Sequence, residues 1–119
     1  MGVNTYCKEV MAANFGGSGI TGPGFIGLGS GSGTFLVSQT GLVAEISSRG
    51  GVSKDLGTAQ QAIYTVDFTS TVLSGLTVQE FAAFAASTGG KSFNREPLSA
   101  PIVFDGSSEV QIELRFVTF

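Results

Sequence analysis

Residues 75–119 read GLTVQEFAAFAASTGGKSFNREPLSAPIVFDGSSEVQIELRFVTF, and this stretch decides the fold. Leu76 and Val78 alternate with Thr77 and Gln79, the two-residue period of a strand with one apolar and one wet face. Phe81, Ala83 and Phe84 then break the alternation, which predicts a bulge or a strand passing between two apolar layers. Gly89-Gly90 marks a turn, residues 93–98 return as a short strand, and a proline break follows. In the closing segment Val110, Ile112, Leu114 and Phe116 face one way while Gln111, Glu113 and Arg115 face the other. Val117 and Phe119 place apolar side chains on that polar face, which makes them candidates for an interface.

Working outward, residues 62–71 repeat the strand pattern, with Tyr64, Val66 and Phe68 alternating with Thr65, Asp67 and Thr69. Residues 24–29 form an apolar island whose Gly27 and Gly29 imply close approach by a neighbour. Residues 29–33, Gly-Ser-Gly-Ser-Gly, read as a flexible loop. Residues 34–47 fit either a short strand or a helical turn, and residues 49–57 read as a long surface loop. Near the start Val3, Cys7, Val10 and Met11 recur at helical spacing, Gly16-Gly17 would stop a helix, and an extended arm is the alternative. Val3, Tyr6 and Val10 on that segment are further interface candidates. Roughly six strands of about five to ten residues imply an all-β, mainly antiparallel domain, a β-sandwich or jelly-roll-like fold. The expected division is a helix or arm over residues 1–20 and a single domain over residues 21–119.

The chain of 119 residues is 42% hydrophobic, which suits one domain with one core. Charged residues make up 13%, about half the usual share. A surface so poor in charge predicts cover by partners, including other copies of the chain. The six cations are scattered and the net charge is −3, which argues against nucleic-acid binding. There is no His and one Cys, so a disulfide framework, Cys–His zinc ligation and a Ser–His triad are all excluded. No run is long and apolar enough for a membrane helix and no signal-peptide pattern opens the chain, so synthesis in the cytoplasm is expected.

Three motifs invite chemistry. Residues 85–92, AASTGGKS, approach a phosphate-cradling loop, but such a loop must open a helix and Pro97 follows too soon. The glycines at 27, 29, 31 and 33 lack the helix and acidic residue of a dinucleotide site. Glu80 and Asp67 could pair as acid and base, yet no nucleophile or second base accompanies them. A buried Glu80 needs a partner, and Arg95 on the return strand is a candidate, so a structural hydrogen bond or ion pair is the preferred reading. No catalytic residue, cofactor or metal site is therefore expected, and Cys7 reads as a small core residue.

Several of these pieces together resemble small structural proteins of tailed bacteriophages. They are Phe25-Ile-Gly-Leu-Gly-Ser30, Leu76-Thr-Val-Gln-Glu80-Phe-Ala-Ala-Phe84, Gly89-Gly90, Phe93-Asn-Arg95, Pro101-Ile102 and the alternating strand from Glu109 to Phe116. The chain departs at Ala82-Ala83, where the pattern prefers Gly-Leu, and its first twenty residues match nothing specific. The resemblance implies a non-enzymatic virion component that decorates or cements a capsid, made in the host cytoplasm and contacting the major capsid protein or copies of itself. A tail, collar or fibre-associated protein is the alternative it also allows. A carbohydrate-binding β-sandwich is more remote, since the chain has no Trp on which a sugar could stack.

Overall fold

A computed structural model of the chain describes residues 5–9, 22–36, 38–55 and 61–117. Residues 5–9 form helix α1. The strands are β1 (Phe25–Gly29), β2 (Gly50–Gly51), β3 (Ser53–Asp55), β4 (Gln61–Phe68), β5 (Thr77–Phe84), β6 (Glu96–Val103) and β7 (Val110–Val117), with helix α2 (Ser70–Leu73) between β4 and β5. They make two antiparallel sheets, one of four strands in the order β2-β1-β5-β6 and one of three in the order β3-β4-β7. The molecule is an all-β, two-sheet antiparallel domain of sandwich type.

Alternation builds the layers. On β4 Val66 and Phe68 are buried and Asp67 is exposed; on β7 Leu114 is buried while Gln111, Glu113 and Arg115 are exposed. Ile26 and Leu28 on β1, Val78 and Ala83 on β5, and Phe93 and Phe104 beyond it complete the core. Cys7 packs into the same core, and Tyr6 lies against Phe93 with ring centroids 5.4 Å apart. Burying such side chains contributes about 1.5–3 kcal/mol apiece.

The chain changes sheets within residues 50–53, where Val52 alone separates β2 from β3. Only glycine fits at position 50, because a Cβ there would stand 2.5 Å from Val66 Cγ2 and 3.2 Å from the Phe68 ring. That crossing closes one side of the sandwich. The opposite side, between β6 and β7, stays open: no ladder joins these two strands. An apolar cleft of about 290 Å³ lies there, lined by Leu28, Val78, Phe81, Leu98, Phe104 and Ile112 among others.

Several expectations are corrected. The surface loop expected over residues 49–57 contains β2 and β3, because pairing to β1 and β4 overrides its glycine and polar composition. The strand expected over 62–71 ends at Phe68; Thr69 then caps α2 by accepting a hydrogen bond from Val72 N at 3.4 Å. The return strand expected over 93–98 is β6, Glu96 to Val103, and no proline break ends it at Leu98: Pro97 and Pro101 both lie within it, at the edge of its sheet, where a missing N–H is tolerated. The described residues of 34–47 are neither strand nor helix, apart from one bridge between Gly29 and Glu45. The break in alternation expected at Phe81–Phe84 reflects burial on both faces, with Ala82, Ala83 and Phe84 all buried, and the register shift in β5 lies earlier, between Val78 and Glu80. Of the helix expected over residues 3–15, only 5–9 fall among the described residues.

Candidate functional site: a buried carboxylate–guanidinium anchor

Past the β5 irregularity, Glu80 turns beneath the loop that follows β1. Arg95 reaches it from the segment leading into β6, with Nε 2.6 Å from Glu80 Oε1 and both side chains wholly buried. The Glu80 carboxylate also accepts three main-chain N–H groups: Val43 at 2.9 Å on Oε1, and Gly31 at 2.9 Å and Ala44 at 2.8 Å on Oε2. Each oxygen thus takes two hydrogen bonds, which fills the acceptor capacity of a carboxylate. Arg95 Nη1 donates to the carbonyls of Gly33 at 3.2 Å and Thr34 at 3.4 Å. Its Nη2 is buried with no partner among the described residues.

The glycines of residues 29–33 are shaped to this anchor. A Cβ on Gly29 or Gly31 would overlap the Glu80 carboxylate, and one on Gly31 would also strike Val43. Bonds from Ser30 N to Ala44 O (2.8 Å), Ile46 N to Leu28 O (3.0 Å) and Ser92 N to Thr40 O (2.9 Å) tie the rest of the loop to the sheet.

Burial pushes the Glu80 carboxyl up, but the hydrogen bonds from Arg95, Ala44, Val43 and Gly31 outweigh it and hold the group below the usual carboxylate range. A general acid needs the opposite shift, and a general base needs a free lone pair facing substrate. Glu80 has neither. Asp67 does not complete a dyad: it lies exposed on the other sheet, accepting from Gln111 Nε2 at 3.0 Å.

A second clamp sits beside the first. Arg49 donates to both oxygens of Glu45 at 2.8 and 3.1 Å, and to the carbonyls of Ala86 at 2.9 Å and Gly89 at 2.7 Å. Its guanidinium stacks 3.4 Å from the Phe84 ring centroid. Residues 85–90 are therefore a pinned turn with Gly89 and Gly90 at φ of 64° and 73°, not the mouth of a phosphate-binding helix. Sequence reasoning missed this clamp. Its one signal, opposite charges four apart at Glu45 and Arg49, carries weight only on a helix.

Of the interface candidates, Tyr6 packs inward on Phe93. Val117 lies at the end of β7, while Val3, Val10 and Phe119 fall outside the described residues. Cys7 is buried, and burial pushes its thiol up, away from reactivity. Among the described residues no three His, Cys, Asp or Glu side chains converge on a metal-sized site, and no helix is long and apolar enough to cross a membrane. Comparison with protein-family models, curated proteins and solved structures found no match.

Proposed function

We propose that the chain is a non-enzymatic virion structural protein, a decoration or cement protein that binds an assembled shell. What carries the proposal is where three of the segments that resemble phage structural proteins come together. Residues 25–30 contain β1, residues 76–84 contain β5 paired to it, and Arg95 closes on Glu80. Three of the resembling segments thus meet in one place, while the closing strand from Glu109 to Phe116 lies in the other sheet. The task of those three segments is to hold a glycine-rich loop in place.

The surface agrees with a protein that binds other proteins. Ile102 and Val103 on β6 are 45% and 73% exposed, beside the open side of the sandwich, and Leu36 and Val43 project from the anchored loop. Exposed apolar groups on a charge-poor domain favour contact with neighbours. Repeated over a shell, even modest contacts of this kind add up to strong retention.

The test is the mass of the purified chain by light scattering, alone and with empty shells of the virus that encodes it. Co-migration with shells supports the proposal. Recovery with tails and not with shells moves the protein to the tail, and association with neither removes it from the virion.

A further inference from the structure

Two sheets have four edges, and in this molecule three of them are blunted. β2 is two residues long and β3 three. β6 carries Pro97 and Pro101, and its register to β5 is broken between them, from Pro97 opposite Glu80 to Ile102 opposite Val78. Very short strands, prolines and bulges are three of the devices that stop a sheet edge from recruiting another strand; charged side chains are another unless the incoming strand pairs them.

β7 has none of the first three. It pairs with β4 in one unbroken register over all eight residues, from Val110 opposite Phe68 to Val117 opposite Gln61, with no proline and no bulge. No described strand pairs with its other edge, which borders the apolar cleft. A long, regular edge of this kind is a template for strand addition.

The charges on β7 say which strand fits. Glu113 and Arg115 are the charged side chains of its outward face, 41% and 55% exposed, with Arg115 Nε 2.6 Å from Glu113 Oε1. The strand they face in their own sheet offers them Thr65 and Ile63, neither charged. In an antiparallel pair of identical strands related by a two-fold axis at Leu114, Glu113 of each copy lies opposite Arg115 of the other. Opposite charges directly across a ladder stabilise and like charges destabilise. A two-fold contact is self-complementary by construction, so this one register satisfies both ends at once.

We propose that the free edge of β7 pairs antiparallel with β7 of a second copy, in the register centred on Leu114, giving a two-fold dimer with one continuous six-stranded sheet. The pairing spans residues 111–117 and gathers Glu113, Arg115 and their counterparts into an alternating four-charge cluster. The second copy also approaches the cleft lined by Val110 and Ile112, beside exposed Ile102. Nothing in this pairing depends on the virion setting.

The test uses the full chain and charge reversal. Light scattering and sedimentation from micromolar to millimolar concentration read the mass of wild type, Glu113→Arg, Arg115→Glu and the double variant. Each single variant sets like charges opposite each other at both ends, which weakens the dimer about tenfold or more. Mixing the two single variants restores opposition at both ends, as does combining both changes in one chain, so the mixture and the double variant should dimerise like wild type. Hydrogen exchange on wild type adds a reading independent of the variants: alternate β7 amides should gain protection as concentration rises. A wild-type monomer throughout, an assembly larger than two, single variants that dimerise like wild type, or a mixture no better than its parts overturns the pairing. A monomer that still co-migrates with shells would overturn the pairing while leaving the decoration proposal standing.

Discussion

Replacing Arg95 by Met tests the anchor most directly. Met fills much of the volume of the arginine stem, so the cavity left behind is small and the loss is electrostatic. The substitution removes the 2.6 Å bond to Glu80 and the bonds to the Gly33 and Thr34 carbonyls. Glu80 is then a buried carboxylate held only by the N–H groups of Gly31, Val43 and Ala44. Removing one partner of a buried pair costs about 3–5 kcal/mol. The three remaining donors place the expected loss near the middle, about 4 kcal/mol, a large part of the roughly 5–15 kcal/mol that holds a domain together. Urea unfolding followed by far-UV circular dichroism should show the midpoint falling by about 2 M.

The effect of pH supplies the sign. In wild type the Glu80 carboxyl is held low, so its stabilisation is full above the unfolded value, about 4.3, and is lost as pH falls through the lower folded value. Without Arg95 the first of the bonds that hold it down is lost, burial is opposed by three main-chain bonds alone, and the carboxyl moves up. Protonation then relieves the variant, so the gap between variant and wild type should narrow from pH 7 to pH 4. Adding Glu80→Gln to Arg95→Met should recover part of the loss at neutral pH, because no charge is left stranded. A loss under about 1 kcal/mol, or a gap that ignores pH, would refute the reading of Glu80 and Arg95 as a mutually dependent buried pair.

Two further outcomes follow from the geometry. Gly31→Ala should cost about 1–3 kcal/mol in urea unfolding, since its Cβ would meet Glu80 and Val43, whereas Gly41→Ala, with open space around it, should stay within about 0.5 kcal/mol of wild type. Arg49→Lys should cost about 1–3 kcal/mol and speed hydrogen exchange across residues 86–90, because an ammonium cannot hold two carbonyls, both Glu45 oxygens and the Phe84 face together.

The strands that alternate could be read from the chain because their pattern reports a local property, one face wet and one dry. β4, β5 and β7 carried that signal, β1 showed instead as an apolar island with glycines, and the partnership of Glu80 with Arg95 was legible because an acidic residue inside an apolar stretch demands a cation. β2 and β3 carried none. Gly50 and Gly51 are in a strand only because β1 lies beside them, and Ser53–Asp55 only because β4 does. The three main-chain donors on Glu80 were equally hidden. Gly31, Val43 and Ala44 lie 49, 37 and 36 residues away, and an N–H group carries no side-chain signature. Arg49 was concealed for the same reason, as two of its acceptors are carbonyls.

Residues 29–33 explain why a chain so sparing of charge buries two charged groups. Gly29-Ser-Gly-Ser-Gly33 has no apolar side chain to pack, so hydrophobic burial cannot fix its course, while ordering it costs about 1–2 kcal/mol per residue in backbone entropy. Its neighbours at Val43 and Ala44 bring further N–H groups beneath the surface, and these need acceptors. A carboxylate that takes two bonds on each oxygen meets three such donors at one point, and Arg95 both neutralises it and captures two carbonyls of the same loop. Apolar residues in place of Glu80 and Arg95 could match the pair in packing energy, but they would leave these main-chain groups unsatisfied. The anchor therefore fixes a segment that composition alone would leave mobile, and with it the exposed Leu36 and Val43 that the segment presents. A surface held in one conformation before contact gives up less entropy on binding, which is the advantage such a loop offers to a protein that works by docking.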